Sequence, residues 1–491
     1  MEHQLKNVLS RENSDYKKSL PIKVVQFGGG NFMRAFVDYT IDVLNDEHGF
    51  NAGIALVQPT PGTSIVKLQE QDNLYTLFTK GIKKGTIVNE KCVISAIQKS
   101  INPYTNYNDF LALAEEDELQ FLFSNTTEAG IVYDKFEDTL ESGPHKNFPA
   151  KVTAFLHARY QFFNGANDKG LTIIPCELIN NNADTLKQYI LKYALLWKLE
   201  EGFSSWIENH NFFHNTLVDR IVPGYPKDDA KAYNGQLDYE DKMMVVSEAF
   251  LLWVIQGDES LKQKLPLHKL NEQILIVNDI QPYRTSKVRI LNGAHTAMVA
   301  VSLLYGKETV KEAVDDNFTG AFIQKAVFDE IIPVLDMPEE ELKTFAEETF
   351  DRFRNPFLKH QLSSIALNSV SKFKVRVLPT ILEYVAQNNK LPLHLTFALA
   401  CLIRFYKGTW EGYALPVSDE ENVINIFKYI WLSDDYDKVA TLALSNTTFW
   451  DTDLTEIDGL KTAIAKALQE IDAKGIQAGY EKFMTFGKTI S

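Results

Sequence analysis

Lys287, Asn292 and His295 stand in the spacing Lys-x4-Asn-x2-His, and side chains of these types can together reduce a carbonyl. That reaction needs a hydride donor, a proton for the developing alkoxide, and fixed dipoles around the oxygen. The Lys287 ammonium, made more acidic by desolvation or neighbouring cations, can give the proton, and its neutral amine can take one back in the reverse direction. The Asn292 amide can donate to the oxyanion, and His295 can hold a substrate hydroxyl or orient the lysine. At about 100° per residue Asn292 falls about 140° from Lys287, with His295 between them at about 80°, so the three share one broad helix face. Val288 and Leu291 fall on the same arc. A polar helix face needs no chemistry to exist, so a second source of polar groups matters. Asn180, Asn181 and Asn182 supply one, a few residues after an apolar run ending at Pro175.

The hydride requires a dinucleotide site, and Phe27-Gly28-Gly29-Gly30-Asn31-Phe32-Met33-Arg34 offers the beginning of one. A β-branched strand, Ile22 to Phe27, feeds a glycine turn and then a helical pattern, so backbone N–H groups at a helix N-terminus can approach a pyrophosphate. Met33 stands where a third spaced glycine is usual. Phe27, Gly28, Gly29, Gly30, Asn31, Phe32 and Arg34 are the expected cofactor contacts. The second strand, Ala52 to Val57, ends in Gln58 with no acid for a ribose hydroxyl and no adjacent arginine for a 2′-phosphate. NAD is the expected cofactor, with Gln58 at the ribose end. Ser124, Asn125, Thr126 and Glu128 follow a third strand and are expected to line the same site; a ligand-free tight turn is the competing reading of the glycines, and a helix-start turn that of the 124–130 segment.

Short apolar runs at Ile22–Phe27, Ala52–Val57, Leu119–Ser124 and Leu171–Pro175 alternate with helical stretches, as buried parallel strands do. From about Glu240 long helical periodicities take over, in KMMVVSEAFLLWVI, VRILNGAHTAMVAVSLLYG, AVFDEIIPVLDM, HLTFALACLIRFYKG and LKTAIAKALQEI. The expected fold is a Rossmann-like α/β dinucleotide-binding domain with insertions over residues 1–276, followed by a mainly α-helical substrate domain over 277–491.

Composition narrows the function classes. A chain of 491 residues is long enough for two domains. Three separated cysteines make neither a disulfide framework nor a zinc site, so no metal is expected. The polar N-terminus and the lack of any apolar run of spanning length predict a cytoplasmic protein off the membrane. A net charge of −15, spread along the chain, argues against nucleic acid as a partner. An anionic substrate would then need local cations. The expected partner is a small molecule, and the expected assembly a monomer or small homo-oligomer.

The ordered segments GGGNFMRAF, QDNLYTL, SNTTEAGI, PCELINNNAD, NTLVDRIVPGYP, KVRILNGAH and RFRNPFLKHQLSSIALNSVSKFKVRVLP resemble the mannitol dehydrogenase family, long-chain polyol dehydrogenases that work without metal. The resemblance implies that Lys287 is the general acid/base, Asn292 an oxyanion amide and His295 a substrate-orienting group. It places the family's second oxyanion asparagine on Asn182, with Asn181 and Asn180 still open, and a substrate-wall lysine on Lys372. Where the polyol enzymes carry an arginine eight residues before that lysine, this chain has Ser364. The departure implies a different substrate end group, as in a keto-uronate and its aldonate. A carboxylate there should meet a planar cation or several donors, and Arg284, Arg289, Arg354, Lys359, His360, Lys372 and Arg376 are candidates, with Lys372, Arg284, Arg354 and His360 taken forward. A second keto-uronate, a plain polyol, or a dinucleotide-binding sensor without turnover are the competing functions.

Overall fold

The computed structural model describes residues 6–16, 19–126, 130–136 and 139–490, the side chains of 488–490 excepted. The chain forms two compact units, one of residues 1–80 and 87–280, the other of 81–86 and 281–491.

Among the described residues, twelve strands precede residue 281: β1 (Ile22–Phe27), β2 (Gly53–Val57), β3 (Tyr75–Lys83), β4 (Thr86–Ile94), β5 (Ile97–Ile101), β6 (Phe121–Ser124), β7 (Thr172–Pro175), β8 (Phe212–Phe213), β9 (Thr216–Asp219), β10 (Val245–Glu248), β11 (Leu252–Gln256) and β12 (Ile274–Val277); all lie in the first unit except the ends of β3 and β4 within 81–86. Six of them form a sheet in the order β5-β2-β1-β6-β7-β8, with parallel pairing throughout. Alternate residues of the same strands enter two separate cores: Val24, Leu56, Phe123 and Ile174 on one face, Val25, Val57, Leu122 and Ile173 on the other. Burial of both faces is why these strands read as continuous apolar runs. The strand order reverses at β1, which lies between β2 and β6. The crevice beyond the carboxyl ends of β1 and β6 is where such sheets take their ligands.

The expected helix at KMMVVSEAFLLWVI is not one. Val245–Glu248 is β10, paired with β3, and Leu252–Gln256 is β11, paired with β9 and β12. Both strands are buried in short apolar runs, where periodicity cannot separate strand from helix. The β-branched and aromatic content of VVSE and LWVIQ favours strand. The pair β3 and β4, with β4 largely exposed, was also not expected from the sequence.

The part of the second unit from residue 281 onward is helical among the described residues, apart from a two-stranded hairpin of Thr409–Trp410 with Tyr413–Ala414. Its helix Leu393–Phe405 is buried on all sides from His394 onward, as a central helix must be. The buried Glu330 carboxylate accepts from the N–H groups of His394 and Leu395 at 2.8 Å each, capping that helix where its dipole favours an anion. Among the described residues, no helix is long and apolar enough to cross a membrane.

Candidate active site

The glycine turn closes tightly on one side and stays open on the other. Gly28 has φ +113°, and a Cβ there would lie 2.7 Å from the Asn125 carbonyl oxygen; one on Gly29 would lie 2.9 Å from Leu56. A Cβ on Gly30 would meet nothing within 4 Å. Gly30 caps a helical run made of Asn31–Met33, a π-helical turn at Arg34–Asp38 and Tyr39–His48. Open space before unpaired helical N–H groups fits a dinucleotide phosphate. Gly28, Gly29, Gly30, Asn31 and Phe32 therefore lie just beyond the carboxyl end of β1.

Three of the expected contacts have other work. Phe27 is fully buried among Phe110, Phe148 and Phe155, because a side chain on the last residue of a two-faced strand points into the core. Arg34 is buried, with its guanidinium on Asn31 Oδ1 and the Met243 carbonyl, and it ties the turn to a distant loop. The Gln58 amide donates to the carbonyls of Thr60 and Gly62 at 2.7 and 2.9 Å and accepts from Ser64, so it shapes the loop after β2. Glu128 lies outside the described residues.

The 124–126 segment is organised by a residue that the sequence reading passed over. Glu177, buried after β7, accepts from the Ser124 hydroxyl at 3.0 Å and from the Thr126 N–H and hydroxyl at 2.9 and 3.0 Å. Burial holds its carboxyl above the usual range, although these bonds offset part of that rise. Asn125 donates to the Cys176 carbonyl at 2.8 Å. An acid directly after a buried strand was the available signal.

Asn182 is likewise structural. It is fully buried, and its amide donates to the Pro175 and Glu177 carbonyls and to Thr216 Oγ1 at 3.0, 3.1 and 3.1 Å. Its oxygen accepts from the N–H groups of Ala183 and Thr216. No amide proton is left for a substrate, since –NH2 has only two. Asn180 and Asn181 are the exposed members of the run.

In the second unit Lys287–Asn292 is a single π-helical turn that continues into the helix Gly293–Leu304. An i→i+5 turn takes up one residue more than an α turn, so Lys287 and Asn292 stand closer in direction than α geometry predicts. His295 follows Asn292 by three residues on the next turn, and all three are half-buried. The His295 ring packs 4.3 Å from Phe353 and 5.1 Å, edge to face, from His360. Burial and the Arg352 charge hold His360 below the usual imidazole value.

The candidate cations divide by their partners. Arg289 bonds Thr380 and Glu383 at 2.6 and 2.7 Å, and Arg354 leans on Asp315 at 3.8 Å. Lys359 is exposed. Lys372 donates to the Ile365 carbonyl at 2.9 Å; burial, then the Arg376 charge, lower its ammonium. Burial lowers Arg284 and Arg376 as well, and neither has an ion pair or hydrogen bond among the described residues. No group of three or more His, Cys, Asp or Glu among the described residues could hold a metal ion.

Comparison with known proteins agrees with this organisation. The mannitol dehydrogenase Rossmann domain matches residues 22–269, and the mannitol dehydrogenase C-terminal domain matches 279–472. An altronate oxidoreductase of Bacillus subtilis (strain 168) is 45% identical over 481 residues, 98% of each chain. One of Escherichia coli O7:K1 (strain IAI39 / ExPEC) is 44% identical over 466 residues, 93% of this chain and 96% of that one. A D-sorbitol dehydrogenase in substrate-free form shares the fold at 21% identity and a TM-score of 0.78, over 96% of this chain and 97% of that one. A Pseudomonas fluorescens mannitol 2-dehydrogenase, solved with NAD and D-mannitol, does so at 20% and 0.65, over 97% and 99%. With a glycine turn at the switch point of a parallel sheet and both family domains in order, the chain belongs to the mannitol dehydrogenase family, as an oxidoreductase acting on CH–OH groups with a nicotinamide dinucleotide.

Proposed function

We propose that this protein is an NAD-dependent, metal-independent reductase of a keto-uronate, interconverting D-tagaturonate and D-altronate. The relatives named altronate oxidoreductase, alike along nearly the whole chain, support that substrate pair. The observation that carries the chemistry is the π-helical turn that turns Lys287 and Asn292 toward one side, one helical turn before His295. When bound, the nicotinamide supplies or accepts the hydride. Lys287 gives its ammonium proton to the alkoxide oxygen in reduction and takes the hydroxyl proton in oxidation. Asn292 donates its amide to the same oxygen, where a fixed dipole favours the developing charge. His295, held between Phe353 and His360, orients a neighbouring substrate hydroxyl. NAD is favoured over NADP because no arginine or lysine directly follows β2 and Gln58 is committed to its own loop.

Initial rates with NADH and NADPH on tagaturonate, fructuronate and fructose test the reading, with and without exhaustive chelation. The expected result is fastest NADH oxidation with tagaturonate, insensitive to chelator. Fast fructose reduction with no uronate reduction would sink the uronate assignment, and activity lost to chelation and restored by zinc would sink the metal-free mechanism.

A further inference from the structure

Gly293 sets the distance between the Lys287–Asn292 turn and a second helix of the same unit. A Cβ at Gly293 would lie 3.2 Å from the Arg376 carbonyl oxygen, so the missing side chain lets the last turn of the helix Ser369–Arg376 settle a few tenths of an ångström closer to the residue after Asn292. Lys372 and Arg376 are four residues apart on that helix and therefore share a face. Like charges one turn apart repel, and Asp419 offsets this only at Lys372.

Arg376 is the unusual member. It is half-buried, yet its guanidinium has no acceptor among the described residues, and none of its nitrogens is sealed from solvent. The other arginines weighed for this role are accounted for by partners, except Arg284 on the helix Gln281–Ser286, whose neighbouring cation one turn on is Lys287, already assigned to proton transfer. A partly desolvated guanidinium beside an ammonium, both with donors to spare, matches a carboxylate: a planar fork can take two oxygens while the lysine adds a third donor.

We propose that Arg376, with Lys372, is the carboxylate clamp that selects a uronate over a neutral ketose. The clamp rests on the keto-uronate reading above and deepens it. The full-length enzyme is assayed for kcat/KM on tagaturonate and on tagatose, which lacks the carboxylate, as wild type, Arg376→Gln, Arg376→Lys and Arg284→Gln. Thermal melts accompany each variant. Loss of one charge-assisted contact should lower the uronate-to-ketose ratio roughly 10- to 100-fold in Arg376→Gln, mainly through KM for the uronate, and Arg376→Lys should recover part of it. If wild type shows no uronate preference, the substrate reading fails and the clamp with it. If wild type prefers the uronate and Arg376→Gln keeps the ratio, or loses both substrates equally, the clamp alone is overturned. A selective loss only in Arg284→Gln also overturns it and moves the site to that arginine. Should Arg376→Gln not fold, Arg376→Lys decides: an unchanged ratio there, with an unchanged KM, overturns the clamp.

Discussion

Glu177 holds Thr126 through one carboxylate oxygen that accepts both its N–H, at 2.9 Å, and its hydroxyl, at 3.0 Å. The other oxygen takes the Ser124 hydroxyl at 3.0 Å, so one buried acid fixes the chain leaving β6 beside the glycine turn. Glu177→Gln replaces one of these acceptors with an amide that faces donors. The expected outcome is a rise of about tenfold in the dissociation constant for NADH, measured by fluorescence titration. An unchanged constant would mean that the 124–126 segment does not contribute to the dinucleotide site.

Asn182 and its neighbours make a paired prediction. Removing the Asn182 side chain leaves buried carbonyls and N–H groups without partners, at about 1–3 kcal/mol per group. Asn182→Ala is therefore expected to lower the melting temperature markedly, while the exposed Asn180→Ala leaves it nearly unchanged. Equal melts would contradict the structural role assigned to Asn182.

These two cases show what was legible in the sequence. The glycine turn, the ends of β1 and β6 and the helical C-terminal unit follow from local composition and period, which act within a few residues of each other. Phe27, Arg34, Gln58 and Asn182 have the right types at the right strand ends, but their side chains turn inward. That choice depends on Phe110, Met243 and Thr216, partners as far as 209 residues away in sequence, and for Gln58 on the carbonyls of its own loop at Thr60 and Gly62. The π-helical turn at Lys287 was hidden for a related reason: the five-residue spacing of Lys287 and Asn292 was visible, but not the extra residue that an i→i+5 turn accommodates. Strands β10 and β11 were misread because a fully buried run carries no period.

Lys287→Ala should lower kcat for tagaturonate reduction by about 10²–10⁴, the usual share of a positioned proton donor, with NADH affinity nearly intact. Stopped-flow turnover and equilibrium titration separate the two. Wild-type turnover in the variant would remove Lys287 from the chemistry.

Gly293→Ala tests the approach of two helices. Gly293 already has helical dihedrals, so alanine strains no backbone and favours the helix by about 1 kcal/mol in intrinsic propensity. Its methyl group nevertheless meets the Arg376 carbonyl at 3.2 Å and must push it back by a few tenths of an ångström. The variant is expected to fold with a melting temperature close to wild type and to lose several-fold in kcat/KM, because misplacement of this size is felt at a reacting centre. Unchanged kinetics would show that the spacing has room to spare.

Asp38 gives a pH dependence whose sign can be worked out. It is fully buried, and burial pushes its carboxyl up to about 7 despite the Tyr75 hydroxyl and the Arg34 guanidinium beside it. In the unfolded chain an aspartate titrates near about 4. Between those values the unfolded state has released a proton that the folded state still holds, so stability falls as pH rises from about 4 to about 7 and levels off above. Asp42, pushed up to about 6 chiefly by burial, adds to the fall over a narrower window. Asp38→Asn keeps an oxygen for Tyr75 and removes the titration. The variant should match wild type near pH 4.5 and melt higher than wild type at pH 8, by an amount of order 1 kcal/mol or more. If calorimetry found wild type melting above Asp38→Asn at pH 8, with the difference vanishing at low pH, Asp38 would be a native-state carboxylate stabilised by Arg34, and the burial argument would be wrong.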